Sequence, residues 1–279
     1  MFTLNCNGRL LVIAKPIVMG IINVTPDSFY SGSRKQTIDE ALQQAEQMLN
    51  DGATILDIGG QSTRPASTKL SANEEADRTI PFVEAITTNF SNAFISVDTY
   101  YATVAESSVN AGASIVNDIS GGMMDENILS TVGKLGVPYV CMHMKGTPQT
   151  MQQNPAYEDV VTEVLDFFIH QTEKCRLNNI NDVVIDPGFG FGKNSIHNFQ
   201  LLKNLSAFKM LDKPILAGLS RKSTIYKTLN ITAEEALNGT TVMNTIALLN
   251  GANILRVHDV KEAIQAIKLI DSYYEVNKL

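Results

Sequence analysis

Acidic, amide and basic side chains in this sequence stand at the ends of short apolar runs, where a buried strand would give way to a loop. Asn23 follows the run 17–22, Asp98 follows 94–97, Asn117 follows 115–116, His143 follows 139–142 and Asp186 follows 183–185. Asp57 interrupts Ile55-Leu56-Asp57-Ile58, and Lys222, Arg256 and His258 come just after two further apolar runs. Two chemistries separate among them. Asp98, Asn117 and Asp186 offer carboxylate acceptors and an amide that both gives and accepts, which suits a flat heterocycle with adjacent N–H donors and a carbonyl; Lys222 could donate to that carbonyl or to a ring nitrogen. Asn23, Thr63, Arg64, Arg256 and His258 form a second set, in which forked guanidinium donors match the oxygens of an anion such as phosphate. Asn23 adds a neutral oxygen that could help hold Mg²⁺ bound mainly by the substrate's own phosphates and water. Bland alternatives stand beside both: strand-end polar residues cap helices, and Arg64 and Arg256 could pair with Asp or Glu instead of a ligand.

Such side chains share one surface only if the elements beneath them repeat. The stretch Asp186-Pro187-Gly188-Phe189-Gly190-Phe191-Gly192-Lys193 shows the unit most plainly, because a β-branched run ends in a carboxylate and a proline and alternating glycines then turn the chain. The same unit recurs. Apolar runs at 17–22, 55–58, 94–97, 115–116, 139–142, 183–185, 215–218 and 254–255 alternate with helical patterns near 37–50, 73–89, 102–111, 126–135, 157–178, 196–205, 222–229 with 233–250, and 260–274. Eight strand–helix units predict a (β/α)8 TIM barrel of the α/β class, in a single domain spanning 1–279, with ligand groups at the carboxyl ends of its strands. Residues 2–12 alternate around Asn7-Gly8 and predict an N-terminal β-hairpin, within 1–15, that covers one end. A dinucleotide-binding fold competes poorly, since Gly188, Gly190 and Gly192 are spaced G-x-G-x-G, one residue short of its fingerprint.

Composition narrows the partners. A net charge of −7 leaves no general excess of cations for nucleic acid or anionic membrane, so an anionic ligand must be met by a few placed residues. Three scattered cysteines, Cys6, Cys141 and Cys175, make no disulfide framework or zinc pair. Neither a leader pattern nor a spanning apolar stretch is apparent, which predicts a cytoplasmic protein. His143, His170 and His197 lack metal spacing and read as structural or surface histidines, with His143 the exception to watch.

Ordered motifs then make a resemblance specific. Met19-Gly20-Ile21-Ile22-Asn23-Val24-Thr25-Pro26-Asp27-Ser28-Phe29 and Asp57-Ile58-Gly59-Gly60-Gln61-Ser62-Thr63-Arg64-Pro65 resemble the two signature segments of the dihydropteroate synthase family. Ser96-Val97-Asp98-Thr99, Asn117-Asp118-Ile119, the 186–193 stretch, Ser220-Arg221-Lys222-Ser223 and Arg256-Val257-His258-Asp259 follow in the family's order. The resemblance implies condensation of 6-hydroxymethyl-7,8-dihydropterin pyrophosphate with p-aminobenzoate, giving 7,8-dihydropteroate and pyrophosphate. It implies a pterin site of Asp98, Asn117, Ile119, Met142, Asp186, Gly218 and Lys222, and a pyrophosphate site of Asn23, Thr63, Arg64, Arg256 and His258 with Mg²⁺ at Asn23. For p-aminobenzoate it implies Phe29, Pro65, Phe191, Lys222 and Ser223, and for assembly a homodimer packed through late helices. The chain departs from the family pattern at Gln61, commonly Glu, at Tyr30-Ser31-Gly32-Ser33-Arg34, and at Tyr100-Tyr101-Ala102, where Ser-Lys-Pro is common. A methyltetrahydrofolate-dependent methyltransferase, which would not need the anion set, and a non-catalytic pterin-binding barrel are the alternative readings.

Overall fold

The computed structural model describes residues 1–24, 34–61, 69–148, 150–151 and 155–276. Phe29, residues 30–33, Thr63, Arg64 and Pro65, all expected at or beside the site, lie outside these. The chain opens with the expected hairpin, β1 (Phe2–Cys6) paired antiparallel with β2 (Arg9–Ile13). Asn7 and Gly8 both take positive φ, 54° and 83°, as a two-residue turn between right-twisted strands requires. Leu4, Cys6, Leu11 and Ile13 face inward and pack with Met19, Ile55, Ile115, Val140, Val184, Leu216 and Ile254, so the hairpin plugs the amino-terminal end of a barrel. The Arg9 guanidinium fastens the plug by donating to the carbonyls of Ser91, Asn92 and Ala93.

The barrel strands are β3 (Ile17–Asn23), β4 (Ile55–Gly59), β5 (Phe94–Asp98), β6 (Ile115–Asp118), β7 (Tyr139–Met142), β8 (Val183–Asp186), β9 (Leu216–Ala217) and β10 (Ile254–Val257). All pair in parallel in the order β8-β7-β6-β5-β4-β3-β10-β9, and a bridge between Ile185 and Ile215 closes the ring. Around it run α1 (Arg34–Asn50), α2 (Ala72–Asn89), α3 (Ala102–Asn110), α4 (Ile128–Leu135), α5 (Val160–Leu177), α6 (Ser195–Lys203), α7 (Ser223–Leu229), α8 (Leu237–Leu249) and α9 (Val260–Glu275). The largest apolar core lies between strands and helices, because strands covered on both faces bury nearly every side chain.

Two helices start three or more residues later than their apolar pattern suggests, each time because the first residues are used elsewhere. The expected start near 157 moves to Val160: Asp159 caps α5 by accepting from the N–H groups of Val161 and Thr162, while the Tyr157 hydroxyl donates to Gly192 O at 2.9 Å. Likewise α8 starts at Leu237, not near 233, because the carbonyls of Ala233 and Glu234 accept hydrogen bonds from the Arg221 guanidinium.

Candidate active site

Strand register sets the floor. Asn23, Gly59, Asp98 and Asn117 are neighbours across β3, β4, β5 and β6, and Asp57 lies two residues below Gly59 on the same inward face. Asp57 is completely buried, and its Oδ2 accepts from Arg256 Nε at 2.6 Å and from Asn117 Nδ2 at 3.0 Å. Arg256 Nη2 reaches Asp98 Oδ2 at 2.6 Å. One guanidinium therefore ties two carboxylates and, through Asp57, fixes the Asn117 amide. Burial pushes the Asp98 carboxyl up to about 7, with the Arg256 charge pulling the other way. Asp57 Oδ1 is buried and meets no donor among the described residues.

The opposite side of the mouth comes from β8 and β9. Asp186 is registered beside Met142 and accepts the Gly188 N–H on Oδ1 at 2.8 Å. A side chain on Gly218 would stand 3.8 Å from Asp186 Oδ2 and 3.7 Å from Lys222 Nζ, so these two charged groups flank a position kept open by glycine. Burial lowers the Lys222 amine to about 8, opposed by Asp186; burial also raises Asp186, opposed by Lys222. Lys222 donates to Phe189 O, and its Nζ lies 4.7 Å from the centre of the Phe191 ring. Tyr100, Ile119 and Met142 form a small apolar cluster, with Met144 and Phe191 packed against it, that walls this space separately from the main core.

The motif Ser220-Arg221-Lys222-Ser223 divides its labour. Arg221, at a positive φ of 53°, forms a bidentate pair with Asp259, both bonds 2.9 Å, and thus locks the β9 loop to the start of α9. Ser220 Oγ accepts the His258 N–H at 3.2 Å and lies 3.0 Å from His258 Nδ1. The His258 ring is thereby oriented from Nδ1, and the residue itself is exposed. Ser223 begins α7, immediately after Lys222 at the N-cap.

The structure thus brings Asp98, Asn117, Ile119, Met142, Asp186, Gly218 and Lys222 to one mouth, with Phe191 and Ser223 adjoining. Arg256 differs from its expected company. The sequence places it beside His258 as an anion ligand, and the structure shows its guanidinium paired with Asp57 and Asp98, the ion-pairing alternative that the sequence leaves open. His143 is structural: Lys193 Nζ lies 2.8 Å from its Nδ1, and burial with the nearby Lys193 charge drives the ring down to about 2. Asp57 was on the expected rim without a role; a carboxylate inside an apolar strand was its signal. Among the described residues no group of three or more His, Cys, Asp or Glu could hold a metal. Half-buried Asn23, a neutral oxygen at the end of β3, fits a cation that takes most of its ligands from substrate and water.

Comparison with known proteins agrees with this geometry. The family described as "Pterin binding enzyme" matches residues 19–258. The chain is 44% identical over 267 residues to the dihydropteroate synthase of Escherichia coli K12, covering 95% of this chain and 94% of that one. A Yersinia pestis dihydropteroate synthase solved as a sulfonamide drug complex superposes with a TM-score of 0.92 at 43% identity, covering 98% of this chain and all of that one. The Xanthomonas albilineans enzyme in complex with 7,8-dihydropteroate superposes with a TM-score of 0.88 at 36% identity, covering 98% and 99%.

Proposed function

The chain belongs to the dihydropteroate synthases of the pterin-binding enzyme family, and from that premise we propose how its rim divides the condensation of 6-hydroxymethyl-7,8-dihydropterin pyrophosphate with p-aminobenzoate. The pterin lies in the mouth, its ring N–H groups given to Asp186 and Asp98 and its remaining polar edge met by Asn117 and Lys222. Ile119 and Met142 supply the apolar wall, and Gly218 leaves room for the ring. The observation that carries this reading is the placement of Asp186 and Lys222 on either side of Gly218, opposite a floor whose carboxylates are fixed by Arg256.

Pyrophosphate is assigned to Asn23, Thr63, Arg64 and His258, with Arg256 at the boundary between this site and the pterin floor. When bound at Asn23, Mg²⁺ supplies positive charge to the leaving pyrophosphate. His258 contributes a hydrogen-bonding ring from the loop after β10. Phe29, Pro65, Phe191, Lys222 and Ser223 take the p-aminobenzoate. The bond between the pterin methylene carbon and the pyrophosphate oxygen breaks, the electron pair leaving with oxygen. The aminobenzoate nitrogen then forms the new C–N bond and gives up a proton. Asp186 and Asp98 favour the departure because negative charge beside the pterin N–H groups stabilises a ring that becomes electron-poor. Catalysis is mainly positioning and charge stabilisation.

Two further assignments belong to this reading. Exposed Leu249, Leu269 and Tyr273 line an apolar groove between α8 and α9, which supports a homodimer packed through these late helices. Among the described residues no helix is long and apolar enough to cross a membrane, in keeping with a cytoplasmic location. The reading is tested by incubating purified protein with both substrates and Mg²⁺: 7,8-dihydropteroate and stoichiometric pyrophosphate are expected. Absence of product, with both substrates recovered intact, would overturn it.

A further inference from the structure

The loop that follows β8 crosses between the two proposed substrate sites, and one buried cation holds it from beneath. Lys193 is 2% exposed, at the end of the glycine-rich stretch. Its Nζ lies 3.0 Å from Gly188 O, 3.0 Å from Phe191 O, 3.3 Å from His143 O and 2.8 Å from His143 Nδ1. Four acceptors converge on one nitrogen, and only an ammonium brings three hydrogens to them, although burial pulls its proton affinity well down. His143 follows directly after β7, so this nitrogen joins the ends of two strands as well as both sides of the turn.

What the turn carries makes the contact consequential. Gly188 gives its N–H to Asp186 Oδ1, Phe189 gives its carbonyl to Lys222 Nζ, and the Phe191 ring faces the same Nζ. The turn cannot be held by side-chain packing at its glycines: Gly188, Gly190 and Gly192 all have positive φ, and a Cβ on Gly188 would stand only 1.9 Å from His143 O. Asn198 accepts the Gly190 N–H at 2.8 Å and Tyr157 donates to Gly192 O, so the outer edge is pinned from α6 and the α5 approach while Lys193 pins the inner edge. Resting on the substrate assignment above, we infer that Lys193 is a positioning residue for the second substrate, setting Phe191 and the Phe189 carbonyl so that Lys222 is presented to p-aminobenzoate.

The consequence is one-sided. Asp98, Asn117 and Asp186 are anchored in strands and hold most of the pterin, which shares with this loop only Lys222 and the Gly188 bond to Asp186, so pterin binding depends less on it than the slot beside Phe191 does. Lys193→Met keeps the stem and removes the ammonium. In steady-state assays it should raise KM for p-aminobenzoate by about tenfold or more, lower kcat by less, and change pterin affinity by calorimetry by less than about threefold. Lys193→Arg, which keeps a cation with several donors, should recover most of the aminobenzoate KM. Wild-type turnover in the same assay separates this inference from the functional reading, since a wild type that makes no dihydropteroate defeats the reading itself. Unchanged aminobenzoate KM in Lys193→Met, equal losses for both substrates, or an arginine variant no better than methionine would overturn the positioning role. Should Lys193→Met fail to fold, His143→Phe carries the test, because it removes the shortest contact and leaves a ring to pack edge-on against Phe167. A smaller rise in aminobenzoate KM, about threefold, with pterin affinity retained is then expected, and no rise would overturn the inference.

Discussion

Asp57 is proposed to touch neither substrate, yet replacing it with asparagine should weaken both the fold and pterin binding. Its Oδ2 accepts one bond from a guanidinium and one from an amide, at 2.6 and 3.0 Å, in a completely buried position. In the best rotamer of Asp57→Asn the new carbonyl oxygen keeps both contacts. The guanidinium, however, exchanges a carboxylate for a neutral acceptor, and the new NH2 takes the place of Oδ1, a buried position that no donor reaches among the described residues. Losing a charged hydrogen bond costs roughly 1.5–3 kcal/mol, while Asp98 still holds Arg256, so a net loss of about 2 kcal/mol follows. With unfolding entropy near 2.1 cal/mol/K per residue, that lowers Tm by on the order of 3–4 °C. Arg256 then has Asp98 as its one carboxylate on the floor, competing with the pterin for its oxygens. Pterin affinity should fall about tenfold, or about 1.4 kcal/mol. Differential scanning calorimetry and pterin titration read the two effects. An Asp57→Asn protein with unchanged Tm and unchanged pterin affinity would refute the idea that the Asp57–Arg256–Asp98 arrangement holds the floor.

Activity should fall on the alkaline side as pH rises through about 8, because burial lowers Lys222 and the cation is lost above that value. Lys222→Arg, which stays protonated, should remove that limb from the kcat/KM profile, and a limb unmoved by it would assign the titration elsewhere. On the acid side, kcat/KM should decline as pH falls through about 7, where Asp98 takes up a proton and ceases to accept from the pterin; a flat profile from 8 down to 5 would contradict that assignment. p-Aminobenzoate should bind the free protein poorly and bind well once pterin and pyrophosphate sites are filled with Mg²⁺ present, since Phe29 and Pro65 of its slot belong to the segments that also carry Asn23, Thr63 and Arg64. Titration with equal, tight affinity in both states would mean the slot is complete beforehand.

The barrel was legible because each strand is a short apolar run closed by a polar residue, and parallel strands buried on both faces demand that pattern. The pterin set was legible for the same reason: Asp98 and Asp186 end their strands and Asn117 stands one residue before the end of its own. Pairing over long sequence separation was not. Nothing local to Arg256 says that it meets Asp57, 199 residues earlier, instead of an anion beside its near neighbour His258. Gln61 and Tyr100 each stood out as departures from the family pattern, but their contact, Gln61 Nε2 to the Tyr100 hydroxyl at 2.7 Å, joins two loops that sequence order keeps apart. Gln61 also accepts the Leu70 N–H at 2.7 Å and Tyr101 donates to Leu70 O at 2.6 Å, so both departures brace one backbone position. Lys193 was hidden differently. It closes a glycine turn, and only the fold shows that the turn folds over it and buries it.

The most direct measurement is calorimetric titration of a dihydropterin into Asp186→Asn. The Gly188 N–H already occupies Oδ1, at 2.8 Å, so the asparagine carbonyl can keep that bond and the fold should be unaffected. Its NH2 then stands where Oδ2 was, beside Gly218 and Lys222, presenting a donor to ring N–H groups that need an acceptor. A loss of about 2 kcal/mol or more, roughly thirtyfold in affinity, is predicted with Tm retained. Wild-type affinity in this variant would contradict the assignment of Asp186 to the pterin, and with it the account of the mouth.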